Sequence, residues 1–258
     1  MNYFVEGLQG SGKSTLVNRV SEKYPDYRAI REGEYSPVEL AWCAYMSEEQ
    51  YGGILDKYRP LRPAIEEKSF PEDGRMIVCY TKIKVEDRAF YRDLEQYEIY
   101  NGRVEKDAFR KIILRRFDRW NGDKTIFECS LFQNIVEEMI LFQDASDGEI
   151  IDFYGQVGDA LSGKDVHILY LQTDDIASNI SVIRKERCDD QGNELWFPLM
   201  CRFFDESPYA KRRGLSGESS LFRHFGHRQA LELRICREIF PGRFTVLKSK
   251  RYSDLERS

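Results

Sequence analysis

Eight consecutive residues near the start of the chain, Gly7-Leu8-Gln9-Gly10-Ser11-Gly12-Lys13-Ser14, satisfy G-x-x-x-x-G-K-[ST]. The chemistry this spacing offers is the capture of a triphosphate. Gly7, Gly10 and Gly12 let the backbone bend until successive N–H groups point inward, and those donors add to the positive end of the helix that must follow. Lys13 is placed to reach the β- and γ-phosphates, and Ser14 to put its hydroxyl on magnesium. The residues expected to touch the nucleotide are therefore Gly7, Gln9, Gly10, Ser11, Gly12, Lys13, Ser14 and Thr15. Further along stand charged residues that could complete a transfer reaction: Glu32 and Glu34, Glu128, then Arg184, Lys185 and Arg187. A transferred phosphoryl group needs neutralised oxygens, a positioned acceptor hydroxyl and a carboxylate that takes or orients its proton. This set contains each part.

Those residues can meet only if the chain delivers them to one edge. A strand at 3–6 precedes the loop, and a helix at 13–24 follows, with Leu16, Val17 and Val20 on its buried face and Pro25 stopping it. A short second strand at 28–31 carries the chain to Glu32 and Glu34. Ser36-Pro37-Val38-Glu39 reads as a capping box with proline at the first helical position, predicting a helix with Leu40, Trp42 and Tyr45. From Ser47 to about Lys84 the one extended run is 76–83, and the region of about 47–100 is expected to be a helical insertion on the ligand side. Helices are predicted at about 86–97 and 105–120, the second with Phe109, Ile112, Ile113, Phe117 and Trp120 at helical spacing.

A third strand, Thr125–Glu128, closes on a carboxylate, and a helix with Ile135, Met139 and Ile140 follows. Ser146 caps another helix to about Leu161; the fourth strand is 166–171; Thr173 begins a helix that ends in Arg184-Lys185-Glu186-Arg187. After Lys211-Arg212-Arg213 a long helix at about 219–240 leads to a fifth strand, Phe244–Lys248. Strands alternating with helices imply an α/β fold on a parallel sheet, because right-handed crossovers need helices on its faces. In such a sheet ligands bind beyond the carboxyl ends of the strands, where the loop, Glu32, Glu34 and Glu128 all fall.

Composition agrees with a soluble enzyme. With 258 residues, 41% hydrophobic and 32% charged, the chain 1–258 can bury a core as a single domain with an insertion and a lid. No apolar run approaches the roughly 18 residues of a membrane span. The first strand begins too early for a signal peptide, so a cytoplasmic protein is expected. Six cysteines without a C-x-x-C pair speak against a disulfide framework and a zinc site. A net charge of −5 makes long nucleic acid an unsuitable partner despite local arginine clusters. His224 and His227 lie three apart but have no third metal ligand nearby in sequence.

The loop, a carboxylate after the second strand, a Glu-x-Ser after the third and an arginine-rich stretch after the fourth together resemble the nucleoside and nucleotide kinases, thymidylate kinase and deoxynucleoside kinases included. Glu34-Tyr35-Ser36-Pro37, with Trp42 downstream, is similar to the Glu-Pro plus tryptophan signature of deoxynucleoside kinases, whose Glu is the proposed base; the register leaves Glu32 and Glu34 both open. Glu128-Cys129-Ser130 looks like that group's Glu-Arg-Ser, with Cys129 where the family has an arginine that contacts substrate or phosphate. Arg184, Lys185 and Arg187 are similar in position to the mobile lid that closes over the triphosphate, here about 184–217, with Arg212 and Arg213 in reserve.

The resemblance implies a P-loop kinase fold with strand order 2-3-1-4-5, ATP and Mg2+ as cofactors, and catalytic roles for Lys13, Glu34 or Glu32, Glu128, Arg184 and Arg187. Ser14 and Glu128 would hold the metal. The expected activity moves a phosphoryl group from ATP to a hydroxyl or phosphate of a small molecule, nucleoside- or nucleotide-like. Two alternatives stay open: an antibiotic or other metabolite kinase, and a nucleotide-dependent switch or ATPase without a small acceptor. Leu171 leads into Gln172-Thr173-Asp174-Asp175 and not into the Asn-Lys-x-Asp of a GTPase switch.

Overall fold

The computed structural model describes residues 1–250. The chain divides into two compact units, one built from Met1–Ala29 with the chain from Asn121 onward, the other from Ile30–Trp120. In chain order the first unit opens with β1 (Asn2–Gly7), α1 (Lys13–Lys23) and β2 (Arg28–Ile30). The second unit then supplies β3 (Ala44–Ser47), α2 (Glu48–Lys57), α3 (Arg62–Glu67), β4 (Ser69–Glu72), β5 (Arg75–Val78), α4 (Arg88–Glu95) and α5 (Lys106–Arg119). The chain returns through β6 (Thr125–Glu128), α6 (Gln133–Leu141), α7 (Asp147–Ala160), β7 (Val166–Gln172) and α8 (Ile176–Glu186), and then α9 (Trp196–Glu206), α10 (Pro208–Arg213), α11 (Gly217–Ile239) and β8 (Phe244–Lys248).

The first unit carries a five-stranded sheet in the order β2-β6-β1-β7-β8, with β1 parallel to β6 and β7, and β7 parallel to β8. Counted along the sheet's own strands this is 2-3-1-4-5, the order expected of a P-loop NTPase fold. Strands buried on both faces read as continuous apolar runs, as the three inner strands β6, β1 and β7 do. Phe4 of β1 stacks on Phe127 of β6 with ring centroids 4.7 Å apart. Leu16, Val17 and Val20 of α1 join Val5, Ile126, Leu169, Leu171 and Leu247 in one buried cluster. Among the described residues no helix is long and apolar enough to cross a membrane.

One helix starts later than its sequence suggests. Thr173 does not open α8, because Gln229 of α11 clamps its backbone, accepting from Thr173 N at 2.8 Å and donating to Thr173 O at 3.0 Å. Asp175 is the cap instead, its carboxylate accepting from Ser178 N at 3.0 Å. The capping box at Ser146 and Glu149 forms as expected at the head of α7.

The second unit is not the purely helical insertion expected from the sequence: it holds a three-stranded antiparallel sheet in the order β3-β5-β4, over a core of Met46, Ile54, Leu55, Ile65, Val78, Phe90 and Leu94. Here the structure departs from the sequence expectation. Ser36-Pro37-Val38-Glu39 starts no helix: Ser36 Oγ accepts only a long bond from Val38 N, 3.4 Å, and the Glu39 carboxylate accepts from Ala41 N at 2.5 Å. Arg116 Nη2 takes the Ser36 carbonyl, and Trp42 sits at φ 64, so the stretch turns irregularly into β3. The capping box of this unit is Ser47 with Gln50, at the head of α2. The extended run predicted at 76–83 is cut short after Val78, where a single turn at Tyr80–Lys82 replaces it.

Glu39 gives this unit a pH signature. It is almost fully buried, and burial pushes its carboxyl up to about 8 against the opposing effects of Tyr100, the Ala41 N–H and Arg116. A carboxyl whose pKa is raised by folding contributes stability in full below its unfolded value near 4.5, and the contribution is lost as the pH rises through about 8. Glu39→Gln, neutral at every pH, is expected to flatten the fall in Tm between about pH 5 and 8. A Tm profile unchanged from the parent protein would assign the slope to another group.

Candidate functional site

β1 ends at Gly7 and α1 begins at Lys13, so the loop between them is held at both ends by regular structure. Gly7, at φ 139, has no room for a side chain, since a Cβ there would lie 2.6 Å from the Leu171 carbonyl oxygen. At Gly10 a Cβ would lie 2.0 Å from Cδ1 of Ile183, so α8 presses directly on the loop backbone. The N-cap of α1 is Gly12, which has no side chain to cap the helix, and the positive end of the α1 dipole at this point favours an anion.

Lys13 is nearly buried and folds over the loop, donating from Nζ to Gly7 O at 2.9 Å and to Leu8 O at 2.8 Å. Val5 of β1 is in register with Glu128 of β6, and that register sets Glu128 beside the start of α1. Ser14 Oγ donates to Glu128 Oε1 at 2.5 Å. One hydroxyl and one carboxylate oxygen in contact are hard ligands of the kind Mg2+ takes. Among the described residues no group of three or more His, Cys, Asp and Glu side chains could hold a metal ion. A cation at Ser14 and Glu128 would complete its shell with phosphate oxygens and water, as Mg2+ commonly does.

Sequence reasoning missed several groups around the loop. Glu6 is fully buried in β1 and accepts from Leu131 N at 2.7 Å, Phe132 N at 3.2 Å and Gln133 N at 3.4 Å; burial pushes its carboxyl up to about 7. Asn179 of α8 donates from Nδ2 to Gln9 O at 2.8 Å. Arg228 of α11 is fully buried and also reaches Gln9. A charged residue in a strand or a helix reads as solvent-facing, so composition carries no signal for Glu6 of β1 or Arg228 of α11.

The arginines after the fourth strand lie elsewhere than on the loop. Arg184 donates from Nε to Glu194 at 2.8 Å and from Nη1 to Glu218 at 3.2 Å, with its guanidinium 4.2 Å over the Phe197 ring. Arg187 is exposed, 5.2 Å over Trp196, and Lys185 is exposed. Arg212 and Arg213 pair with Asp144 at 3.2 and 2.5 Å. His224 and His227 turn to different carboxylates, Glu137 at 3.1 Å and Asp147 at 2.8 Å.

In the second unit, Glu32 Oε1 accepts from Trp42 Nε1 at 3.0 Å, and its carbonyl accepts from Lys82 Nζ at 2.7 Å. Glu34 is exposed in a tight turn, its carboxylate accepting from Arg31 N at 2.9 Å.

No family model matches the sequence, and no curated protein matches it. Among solved structures the chain is similar to deoxyadenosine kinase from M. mycoides with bound dATP, at a TM-score of 0.38 and 14% identity over 99% of this chain and 95% of that one. It is similar also to the same enzyme with bound dCTP, at a TM-score of 0.40 and 15% identity over 99% and 94%.

Proposed function

We propose that the chain is a P-loop phosphotransferase that moves the γ-phosphoryl group of ATP to a nucleoside- or nucleotide-like small molecule. The observation that carries this reading is the pairing of an intact phosphate loop with the Ser14–Glu128 contact at 2.5 Å, a hydroxyl and a carboxylate side by side at the head of α1. The residues fit the group they would hold. Loop N–H groups and the α1 dipole bind the phosphates, and Lys13, released from the Gly7 and Leu8 carbonyls, sets its charge on the β- and γ-oxygens. Bound Mg2+ supplies neutralisation of the charge that develops on those oxygens. Glu34, with Glu32 as the alternate, takes the acceptor's proton. Arg184 or Arg187 exchanges its present partner for phosphate as the segment 184–217 closes and excludes water.

The acceptor class rests on the similarity of Glu34–Pro37 with Trp42, and of Glu128–Ser130, to kinase signatures. The test is incubation with γ-labelled ATP, Mg2+ and a panel of nucleosides, nucleotides and aminoglycosides. Label transferred to a nucleoside or nucleotide is the expected result. Label transferred to an aminoglycoside would move the chain to antibiotic phosphorylation, and phosphate release without an acceptor would support a switch or ATPase. A protein that neither binds nor turns over ATP would overturn the reading.

A further inference from the structure

We infer that Arg228 is a positioning residue for the phosphate loop, acting through the side chain of Gln9. The inference rests on the reading of that loop as a nucleotide site. Gln9 is the third residue of the motif, at a position whose type the motif leaves open. Both of its polar ends are nonetheless held: its carbonyl accepts from Asn179 Nδ2 of α8 at 2.8 Å, and its Oε1 accepts from Arg228 Nη2 of α11 at 2.8 Å.

Arg228 is itself fixed from several elements. Its Nη1 donates to Glu137 Oε2 of α6 at 2.7 Å, and His224 Nε2 lies 3.1 Å from the same oxygen. Its Nε lies 3.1 Å from Glu232 Oε1, while the other oxygen of Glu232 accepts from Tyr170 OH of β7 at 2.6 Å. Arg228 and Glu232 have no exposure at all. Burial pushes the Glu137 carboxyl up, but Arg228 and His224 outweigh it and hold the group at about 2.

Such a network is an expensive way to fill a core. A buried ion pair is often no more stabilising than apolar residues of the same volume, so packing alone does not account for it. A guanidinium does what a methionine cannot: its planar fork fixes the direction of each N–H, and with Nη1 bonded to Glu137 and the Glu232 carboxylate paired in charge beside Nε, Nη2 is aimed at the loop. The loop has reason to be held. Its N–H groups stabilise charge best when they already point at the anion's position and need no rearrangement. Ile183 packs against Gly10 and Asn179 holds the Gln9 carbonyl, while the Gln9 side chain is tied through Arg228 to α6 and β7.

The test uses Gln9→Met, which removes the acceptor and leaves the buried pairs intact, Gln9→Glu, which keeps an acceptor oxygen, and Arg228→Met. Hydrogen exchange of the amides of residues 8–12 is measured without nucleotide, and the Kd for MgATP is measured separately. Gln9→Met and Arg228→Met are each expected to speed loop exchange and raise the Kd by about tenfold or more, the value of a hydrogen bond to a charged group. The double variant should be no worse than either single one. Gln9→Glu should exchange like the parent. Parental loop exchange in Gln9→Met would show that Arg228 serves α6–α11 packing alone and would overturn the inference, and this variant decides even if Arg228→Met does not fold. The functional reading fails separately, if the parent protein and Lys13→Ala bind MgATP equally.

Discussion

Replacing Lys13 with alanine is expected to lower ATP-dependent turnover by about 10²–10³-fold, the cost of deleting one preorganised donor to developing charge. The side chain carries the loop's own positive charge, and nothing in alanine can offset the charge of the β- and γ-phosphates. In the protein as it stands Lys13 bonds to the Gly7 and Leu8 carbonyls, so its removal also releases two acceptors at the loop. That costs stability on the order of 1–3 kcal/mol, well short of a domain's total. Thermal unfolding should therefore remain cooperative. Calorimetric titration with a non-hydrolysable ATP analogue and steady-state kinetics together check the result. A folded Lys13→Ala variant with parental affinity and turnover would remove the loop from the chemistry and the phosphotransfer proposal with it.

The second large effect concerns the proton. Glu34→Gln is expected to slow phosphoryl transfer by about 10²-fold or more with ATP binding retained, because glutamine keeps size and hydrogen bonding but accepts no proton. The local geometry makes the substitution clean. After Glu34→Gln the new amide oxygen can still accept from Arg31 N, and after Glu32→Gln the new amide oxygen can still accept from the Trp42 indole, so neither exchange should disturb the turn. If Glu32→Gln shows the loss in place of Glu34→Gln, the base is Glu32. Parental transfer rates in both variants would require a different base.

The first unit was the readable one, for physical reasons. Its parallel strands are buried on both faces, so β1, β6 and β7 announce themselves as apolar runs, and helices must separate them. The loop is read from glycines that sterics demand, at Gly7 against Leu171 and Gly10 against Ile183. Ser14 and Glu128, far apart in sequence, meet because strand order follows from the fold.

The second unit is less legible in sequence because its local signals compete. Ser36 to Glu39 fits the capping pattern, but the buried Arg116 takes the Ser36 carbonyl and also pairs with Glu72, and that tertiary demand overrides a cap. Ser47 to Gln50 carries the same pattern and does form a helix. Asp73-Gly74, with φ 51 and 70, makes the β4–β5 hairpin, a two-residue signal hidden between Pro71 and a charged stretch. The site residues that escaped, Glu6 and Arg228, did so because burial of a charge is decided by the whole fold.

The division of the chain also sets an order of events during synthesis. β1 is made before both its neighbours in the sheet, β6 and β7, which lie beyond the second unit, with Phe4 waiting for Phe127 roughly 120 residues later. At about 5–20 residues per second a ribosome needs about 6–25 s to supply that partner. The second unit's strands pair with one another over short separations, so that unit can fold while the phosphate loop is still unsupported. Until β6 emerges, the nascent β1 is an apolar strand with two open edges, the kind of segment a chaperone recognises.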